Sequence, residues 1–184
     1  MGAVTATRRM MRRLVQGMTL TLILSGCAMP VTTKTRHIES AFDLAVTSAQ
    51  MQPGTHSING SALMRQRGGG VVTCAGEDVV LFPVTPYSVE RIEWLFGIRG
   101  PRASIQLWRP ITFDPDPVEF HQLMKRSTCD AQGAFVFTKL RPGRYYLTTR
   151  IAWTVADIRQ GAQLMQMISI SADLDEPLRV VLTD

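Results

Sequence analysis

The chain has 184 residues, a formal net charge of +5 and 45% hydrophobic residues, which suits one domain with a substantial core. Four basic residues lie in the first 26 positions, and no acidic residue does. Removing those 26 positions takes away four positive charges and leaves 158 residues with a net charge of +1. Because no basic stripe interleaved with aromatic residues remains, nucleic-acid binding is not expected.

The N-terminus has the layout of an export signal. Four arginines precede an apolar run at 14–24, which is too short to span a bilayer. The ending Leu24-Ser-Gly-Cys27 resembles the lipobox of bacterial lipoproteins, so we predict a signal peptide at 1–26 and acylation of Cys27. An ordinary cleaved signal with an incidental Cys is the alternative, and Thr7-Arg8-Arg9 leaves twin-arginine export open. No Asp follows Cys27, which resembles sorting to the outer membrane, facing the periplasm.

The segment after Cys27 is predicted to lead into a single domain. Residues 30–36 are polar and β-branched, so a lipidated tether is predicted at 27–37 and the domain at 38–184. Residues 38–51 fit either a helix or a strand, because their apolar positions match both periods. Residues 56–64 suit a strand, and RQRGGG at 65–70 predicts a hairpin tip or a flexible loop. A phosphate-binding loop would need a following helix with Lys and Ser or Thr. No such helix is indicated after residue 70, so phosphate binding is not predicted there.

Three further elements are predicted in the middle of the chain. The apolar run at 79–84 is typical of a central sandwich strand, and residues 87–96 predict one short helix that covers an end of the sandwich. Apolar and polar residues alternate in 120–127, which predicts another strand.

The densest group of potential metal ligands precedes this last strand. Prolines interrupt it, and it lacks the Gly and the terminal Glu of a calcium-binding loop. We therefore predict no metal site there. The group consists of Asp114, Asp116, Glu119 and His121.

The most recognisable pattern lies at 127–153. Asp130 is expected to accept a backbone hydrogen bond from two residues on, and Gly133 to take a positive φ, so that they close a tight turn. Apolar residues alternate on both sides of a second turn at Arg141-Pro142-Gly143, which predicts two adjacent antiparallel strands. The predicted core residues are Phe135, Phe137, Tyr145 and Leu147.

This pattern, T-x-D-x-x-G-x-F-x-F-x-x-L-x-P-G-x-Y-x-L from Thr128 to Leu147, resembles the carboxypeptidase regulatory-like domain, a transthyretin-type β-sandwich. Ile58-Asn-Gly60 and residues 76–83 are similar to the first two strands of that family. The resemblance implies a fold and no activity, since such domains accompany a catalytic domain and perform no chemistry themselves. Together with the regular turn signals, it predicts a mainly β, antiparallel transthyretin- or immunoglobulin-like sandwich of about seven to nine strands with one short helix.

Cys74 and Cys129 are the two thiols left after Cys27 is assigned to lipid. Each lies beside a turn at the end of a predicted strand, in a compartment that permits disulfides. We predict that they pair, and buried free thiols remain the alternative.

The predicted function is that of a non-catalytic envelope lipoprotein, held to the membrane by its acyl chains, whose sandwich serves as a scaffold or binds an envelope protein. The alternative is a periplasmic carrier or sensor for a small hydrophobic or glycan ligand, held near Trp94, Trp108 and Trp153. No nucleophile elbow or paired His is apparent, so neither catalysis nor a cofactor is predicted.

Overall fold

Eleven strands and three helices form the part of the chain that the computed structural model describes, residues 33–97, 100–106 and 111–184. The predicted sites Cys27 and Trp108 lie outside these residues. None of the described helices is long and apolar enough to cross a membrane. The strands are β1 (Lys34–His37), β2 (His56–Arg65), β3 (Val71–Thr73), β4 (Asp78–Pro83), β5 (Arg102–Gln106), β6 (Ile111–Asp114), β7 (Lys125–Thr128), β8 (Ala134–Leu140), β9 (Gly143–Val155), β10 (Ile158–Ile170) and β11 (Leu178–Leu182). The helices are α1 (Leu44–Met51), α2 (Pro86–Phe96) and α3 (Val118–Leu123).

Nine of these strands form two sheets, which confirms the predicted β-sandwich. The first sheet has the order β5-β10-β9-β4-β7, and all its neighbours are antiparallel. The second is built on β2, which pairs in parallel with β11 and antiparallel with β8 and β3. Strands β1 and β6 form a separate parallel pair. Strand β1 lies within residues 27–37, the stretch predicted as a tether. The structure describes residues 33–37 of that stretch.

The core between the two sheets contains the four predicted aromatic and aliphatic residues. Phe135 and Phe137 on β8 and Tyr145 and Leu147 on β9 are all buried. Gly60 on β2 pairs with Phe135, and a Cβ atom at Gly60 would overlap the Phe135 ring. The absence of a side chain at Gly60 therefore gives this ring its place in the core.

A second core lies on the other face of the five-stranded sheet. Phe82 on β4 and Tyr146 on β9 face this side, where Tyr87 and Ile92 of α2 and Phe120 of α3 cover them. The sheet is therefore the middle layer of three, and α2 covers its face rather than an end of the sandwich. This explains why β9 is buried at five successive residues, 145–149, although alternation alone predicted burial on one side.

The Asp130 turn forms as predicted, but the two strands after it do not pair with each other. The Asp130 Oδ1 atom accepts hydrogen bonds from the backbone N–H groups of Gln132 and Ala134, and Gly133 has a φ of 81°. Strand β8 pairs with β2, whereas β9 pairs with β4 and β10. The predicted adjacency is therefore wrong, because the turn at 141–143 carries the chain from one sheet to the other.

Two other local predictions change in the structure. Residues 118–123 form the helix α3 instead of the first half of a strand, and Phe120 enters the second core from it. The strand begins only at Lys125, where pairing with β4 starts. The ambiguous stretch at 38–51 contains α1, and the Asp43 side chain caps its first turn by accepting a hydrogen bond from Val46 N–H.

The predicted disulfide between Cys74 and Cys129 is present, with 5.8 Å between the two Cα atoms. Cys74 follows β3 of the second sheet, and Cys129 follows β7 of the first. Backbone hydrogen bonds from Gly76 N–H to Cys129 C=O and from Cys129 N–H to Glu77 C=O hold the same two segments together. The disulfide therefore joins the two layers of the sandwich at their rim.

Tyr145 fixes the place where the chain changes sheets. Its hydroxyl donates to the Arg141 carbonyl at 2.8 Å and accepts from Gln50 Nε2 of α1 at 2.6 Å. Gln50 Nε2 also donates to the Pro142 carbonyl at 2.9 Å. One buried hydroxyl therefore ties the turn to α1, in the manner of the tyrosine corner of other sandwiches.

Loss of the disulfide is expected to lower the free energy of unfolding. Closing a loop with a sequence separation of 55 removes chain entropy worth about 4 kcal/mol from the unfolded state. Urea denaturation of Cys74→Ser/Cys129→Ser should show a loss of this order. Reduced wild type should match the double variant, whose own stability should be insensitive to reductant. A loss below about 1 kcal/mol would contradict the cross-link's role.

Tyr145 should make the stability sensitive to alkaline pH. Burial raises the pKa of Tyr145 above its ordinary value of 10.0. The hydrogen bonds from Gln50 and to the Arg141 carbonyl oppose this rise only in part. Its stabilisation is therefore fully present below pH 10 and is lost as the pH rises through the folded-state pKa. Tyr145→Phe should cost about 1 kcal/mol near pH 8 and flatten the decline above pH 10 in denaturation curves. If the free energies of unfolding of wild type and Tyr145→Phe fell in parallel above pH 10, ionisation of Tyr145 would not be the cause.

Candidate functional site

An open groove of about 660 Å³ lies where the β9–β10 hairpin extends beyond its neighbours. Strand β4 pairs with β9 only as far as Thr149, and β5 pairs with β10 only from Ala162 onward. The end of the hairpin therefore projects, and the groove opens between it, β5 and the loop from β2 to β3. Its lining includes Met64, Arg65, Arg67, Trp153, Gln160 and Asp184.

Trp153 provides the aromatic surface of this groove. It follows Ile151 at the next inward-facing position of β9, packs against the inner core and remains partly exposed. Gln160 is its direct cross-strand partner, and the buried Ala162 and Met64 line the groove beside it. An aromatic ring thus lies next to an exposed amide side chain, on a long hairpin whose register is continuous.

The opposite rim is formed by the glycine-rich loop that the sequence predicted to be a hairpin tip. Gln66 N–H donates to the Gly70 carbonyl at 2.8 Å, and Gly69 N–H donates to the Gln66 carbonyl at 2.9 Å. These bonds close the loop and hold Arg67 near its tip. Arg65 and Arg67 are exposed, and neither forms an ion pair or side-chain hydrogen bond with another described residue.

The tryptophans predicted as ligand contacts are not all brought together. Trp153 lines the groove, but Trp94 lies on α2 and does not. The side chain of Trp94 is 40% exposed, and the Arg36 guanidinium lies 4.3 Å from the centre of its ring. A cation on the ring face favours packing over ligand stacking at this position. Trp94 therefore lies outside the groove, and its role as a ligand contact stays a prediction.

The acidic cluster considered for metal binding is instead organised around Arg91 of α2. Arg91 Nη1 lies 2.6 Å from Asp116 Oδ1, and His121 Nε2 lies 2.7 Å from the same oxygen. Arg91 also donates to the Tyr87 hydroxyl, which in turn donates to the Pro115 carbonyl. Among the described residues, no three His, Cys, Asp or Glu side chains are arranged to hold a metal ion.

Aromatic rings enclose the Arg91 guanidinium. Its central carbon lies 4.0 Å from the centre of the Phe113 ring and 4.9 Å from that of Phe120. Burial raises the pKa of the adjacent Tyr87, although the nearby cation acts in the opposite direction. The Arg91–Asp116 ion pair thus holds the segment around Asp116 against α2. The guanidinium and the carboxylate are each other's charge partners.

Sequence reasoning missed Arg65, Arg67, Gln160 and Asp184 as residues of a shared site. The loop at 65–70 was recognised as basic and glycine-rich, yet nothing in the sequence places it opposite Trp153. Arg91 was missed as well. The available signal was its spacing of four from Tyr87, which puts both side chains on the same face of α2.

Asp116→Asn should destabilise the fold, because it leaves the buried Arg91 guanidinium without a carboxylate. We expect a loss of about 1 to 2 kcal/mol in urea denaturation, since the Asp116 side chain is 36% exposed and the amide can still accept a hydrogen bond. Asp114→Asn is the matched control, because Asp114 is exposed. Equal stability of the two variants would contradict a clamping role for Asp116.

Comparison with known proteins bears on the fold. No protein-family model and no curated protein matches this sequence. The structure is similar to the crystal structure of a proposed carbohydrate-binding protein from Pseudomonas aeruginosa. The TM-score is 0.62 and the identity 21%, over 79% of this chain and 99% of that chain.

A second solved structure, chlorocatechol 1,2-dioxygenase from Pseudomonas putida, matches with a TM-score of 0.27 and 11% identity, over 86% of this chain and 70% of that chain. So low a score carries no weight. The first likeness establishes that this chain shares a β-sandwich fold with the Pseudomonas aeruginosa protein.

Proposed function

We propose that this chain is a carbohydrate-binding module of the bacterial envelope, and that its sugar site is the groove beside Trp153. The observation that carries the proposal is the juxtaposition, in one open groove, of a partly exposed tryptophan and a polar rim. Such a combination of an apolar surface with a few polar groups is typical of small-ligand sites.

A sugar ring matches this lining better than a purely hydrophobic ligand does. A pyranose presents C–H groups on its face and hydroxyls at its edge, so an aromatic ring and hydrogen-bonding side chains serve it together. Trp153 supplies the ring, Gln160 an amide, Ser104 a hydroxyl and Asp184 a carboxylate. A hydrophobic ligand would leave these polar groups without partners, which lowers affinity.

The solved structure with the similar fold supports the same class of ligand, because carbohydrate binding is proposed for that protein too. Its identity of 21% is too low to transfer residues. The Trp153 groove is therefore argued from this chain alone.

The N-terminal sequence supports an envelope location. We propose that Cys27 is the acylated mature N-terminus and that the protein faces the periplasm from the outer membrane. In this arrangement the module performs no chemistry and retains glycan at the membrane surface.

Protein-partner binding is a second candidate function, favoured by the outer face of the second sheet. Val136 on β8 and Val181 on β11 are each 52% exposed on this face. Cross-strand pairing puts Val136 opposite Asn59 and Val181 opposite Ser61, so polar residues separate the valines. A face of this kind suits a transient contact better than an obligate one.

Trp153→Ala should weaken glycan binding about five- to tenfold, since stacking on an aromatic ring of this kind contributes on the order of 1 kcal/mol or more. The full-length protein and the variant would be compared on a panel of immobilised neutral and acidic oligosaccharides. Trp94→Ala is the matched control, because Trp94 lies outside the groove, and it should bind as the wild type does.

Trp153 also packs against the core, so folding must be checked by near-ultraviolet circular dichroism. Gln160→Ala gives an independent test, since Gln160 is exposed and its loss should reduce affinity several-fold without unfolding the protein. Retention of no glycan, or wild-type binding by both groove variants, would refute the proposed function.

A further inference from the structure

We infer that the glycan held in the Trp153 groove is anionic, a saccharide with carboxylate groups such as a uronic acid oligomer, and that Arg65 and Arg67 bind those carboxylates. This inference rests on the proposed carbohydrate site. It adds the charge of the ligand and the two side chains that recognise it.

Three other arginines of the described chain are engaged by neighbouring side chains. Arg91 contacts Asp116, Arg150 donates two hydrogen bonds to Glu77 Oε2, and Arg36 lies over Trp94. In contrast, Arg65 and Arg67 have no such partner among the described residues, although both line the groove. Two exposed cations are therefore available to a ligand that enters this site.

The backbone carrying these two arginines is held in place. Arg65 is the last residue of β2 and pairs with Val71 of β3, and the loop that carries Arg67 is closed by the hydrogen bonds of Gln66. Guanidinium is planar and offers paired donors that match both oxygens of a carboxylate. A rigid base lowers the entropy lost when such side chains bind.

The other polar groups of the groove suit the hydroxyls of the same ligand. Gln160 beside Trp153 can donate and accept, and the Asp184 carboxylate accepts from hydroxyl groups. With Arg65 and Arg67, the lining has two cations and one anion. A ligand with neutral sugars alone would leave both guanidinium groups in water.

An anionic glycan also fits this site better than single-stranded nucleic acid. Nucleic-acid grooves stack successive bases on several aromatic side chains along a cationic track. Here one tryptophan, Trp153, lies beside two arginines in the described part of the groove. The groove volume of about 660 Å³ lies within the range of small-ligand sites.

The test compares uronic acid oligomers with their carboxyl-reduced counterparts, in which only the carboxylate is replaced by a hydroxymethyl group. Binding of galacturonate, glucuronate and mannuronate oligomers to the full-length protein would be measured by isothermal titration calorimetry at low salt. We expect at least one acidic oligomer to bind about tenfold more tightly than its reduced form. Added salt should weaken the acidic form more.

Arg65→Gln/Arg67→Gln should remove this difference and leave the binding of the reduced oligomer unchanged. Arg126→Gln/Arg179→Gln is the matched control, because it removes two exposed arginines that do not line the groove. It should keep the preference. An equal loss in both double variants would show a general charge effect and overturn the inference.

The remaining outcomes separate the inference from the proposed function. Equal affinity for acidic and reduced oligomers would overturn the anionic ligand and leave the sugar site intact. If the protein bound neither the acidic nor the reduced oligomers, and no oligosaccharide of the panel either, both the anionic ligand and the sugar site would be overturned. Single-stranded DNA or phosphatidylglycerol vesicles that bind as tightly as the uronates, with the same dependence on Arg65 and Arg67, would mark a general anion patch and overturn the assignment to a glycan.

Discussion

Strand β9 packs against two cores, one on each of its faces, and the rest of the structure depends on that constraint. Tyr145 and Leu147 face the core between the sheets, while Tyr146 lies in the second core, which the helices cover. The buried Thr149 side chain meets its hydrogen-bonding need by donating to the Asp78 carbonyl at 3.0 Å. A strand buried on both faces tolerates few changes of side-chain size or polarity.

The register of β9 with β10 extends this constraint to the candidate site. The two strands pair without a break from Gly143 and Ile170 to Val155 and Ile158, well past the ends of β4 and β5. The hairpin that organises the cores therefore also presents Trp153 and Gln160. The site takes its rigidity from the most extensively paired strands in the described part of the chain, which suits ligand recognition without a large ordering cost.

Arginine plays two different roles in this molecule, and the surroundings of each side chain distinguish them. The Arg91 guanidinium is enclosed by aromatic rings and paired with Asp116, so it stabilises contact between α2 and the neighbouring segment. Arg65 and Arg67 are exposed at the rim of a groove and have no described partner. Composition does not separate these roles, because all three residues contribute the same charge.

The features that could be predicted from the sequence are those that local chemistry specifies. Asp130 and Gly133 specify their turn through one side-chain oxygen and one positive φ, and the alternation of Phe135 and Phe137 specifies which face of β8 is buried. Which strands pair and which residues meet depends on long-range packing. Alternation identifies an inward face but not the partner strand, so β8 joined β2 instead of β9. Likewise, Trp153 and Arg65 lie far apart in sequence and share a groove only because two sheets pack together there.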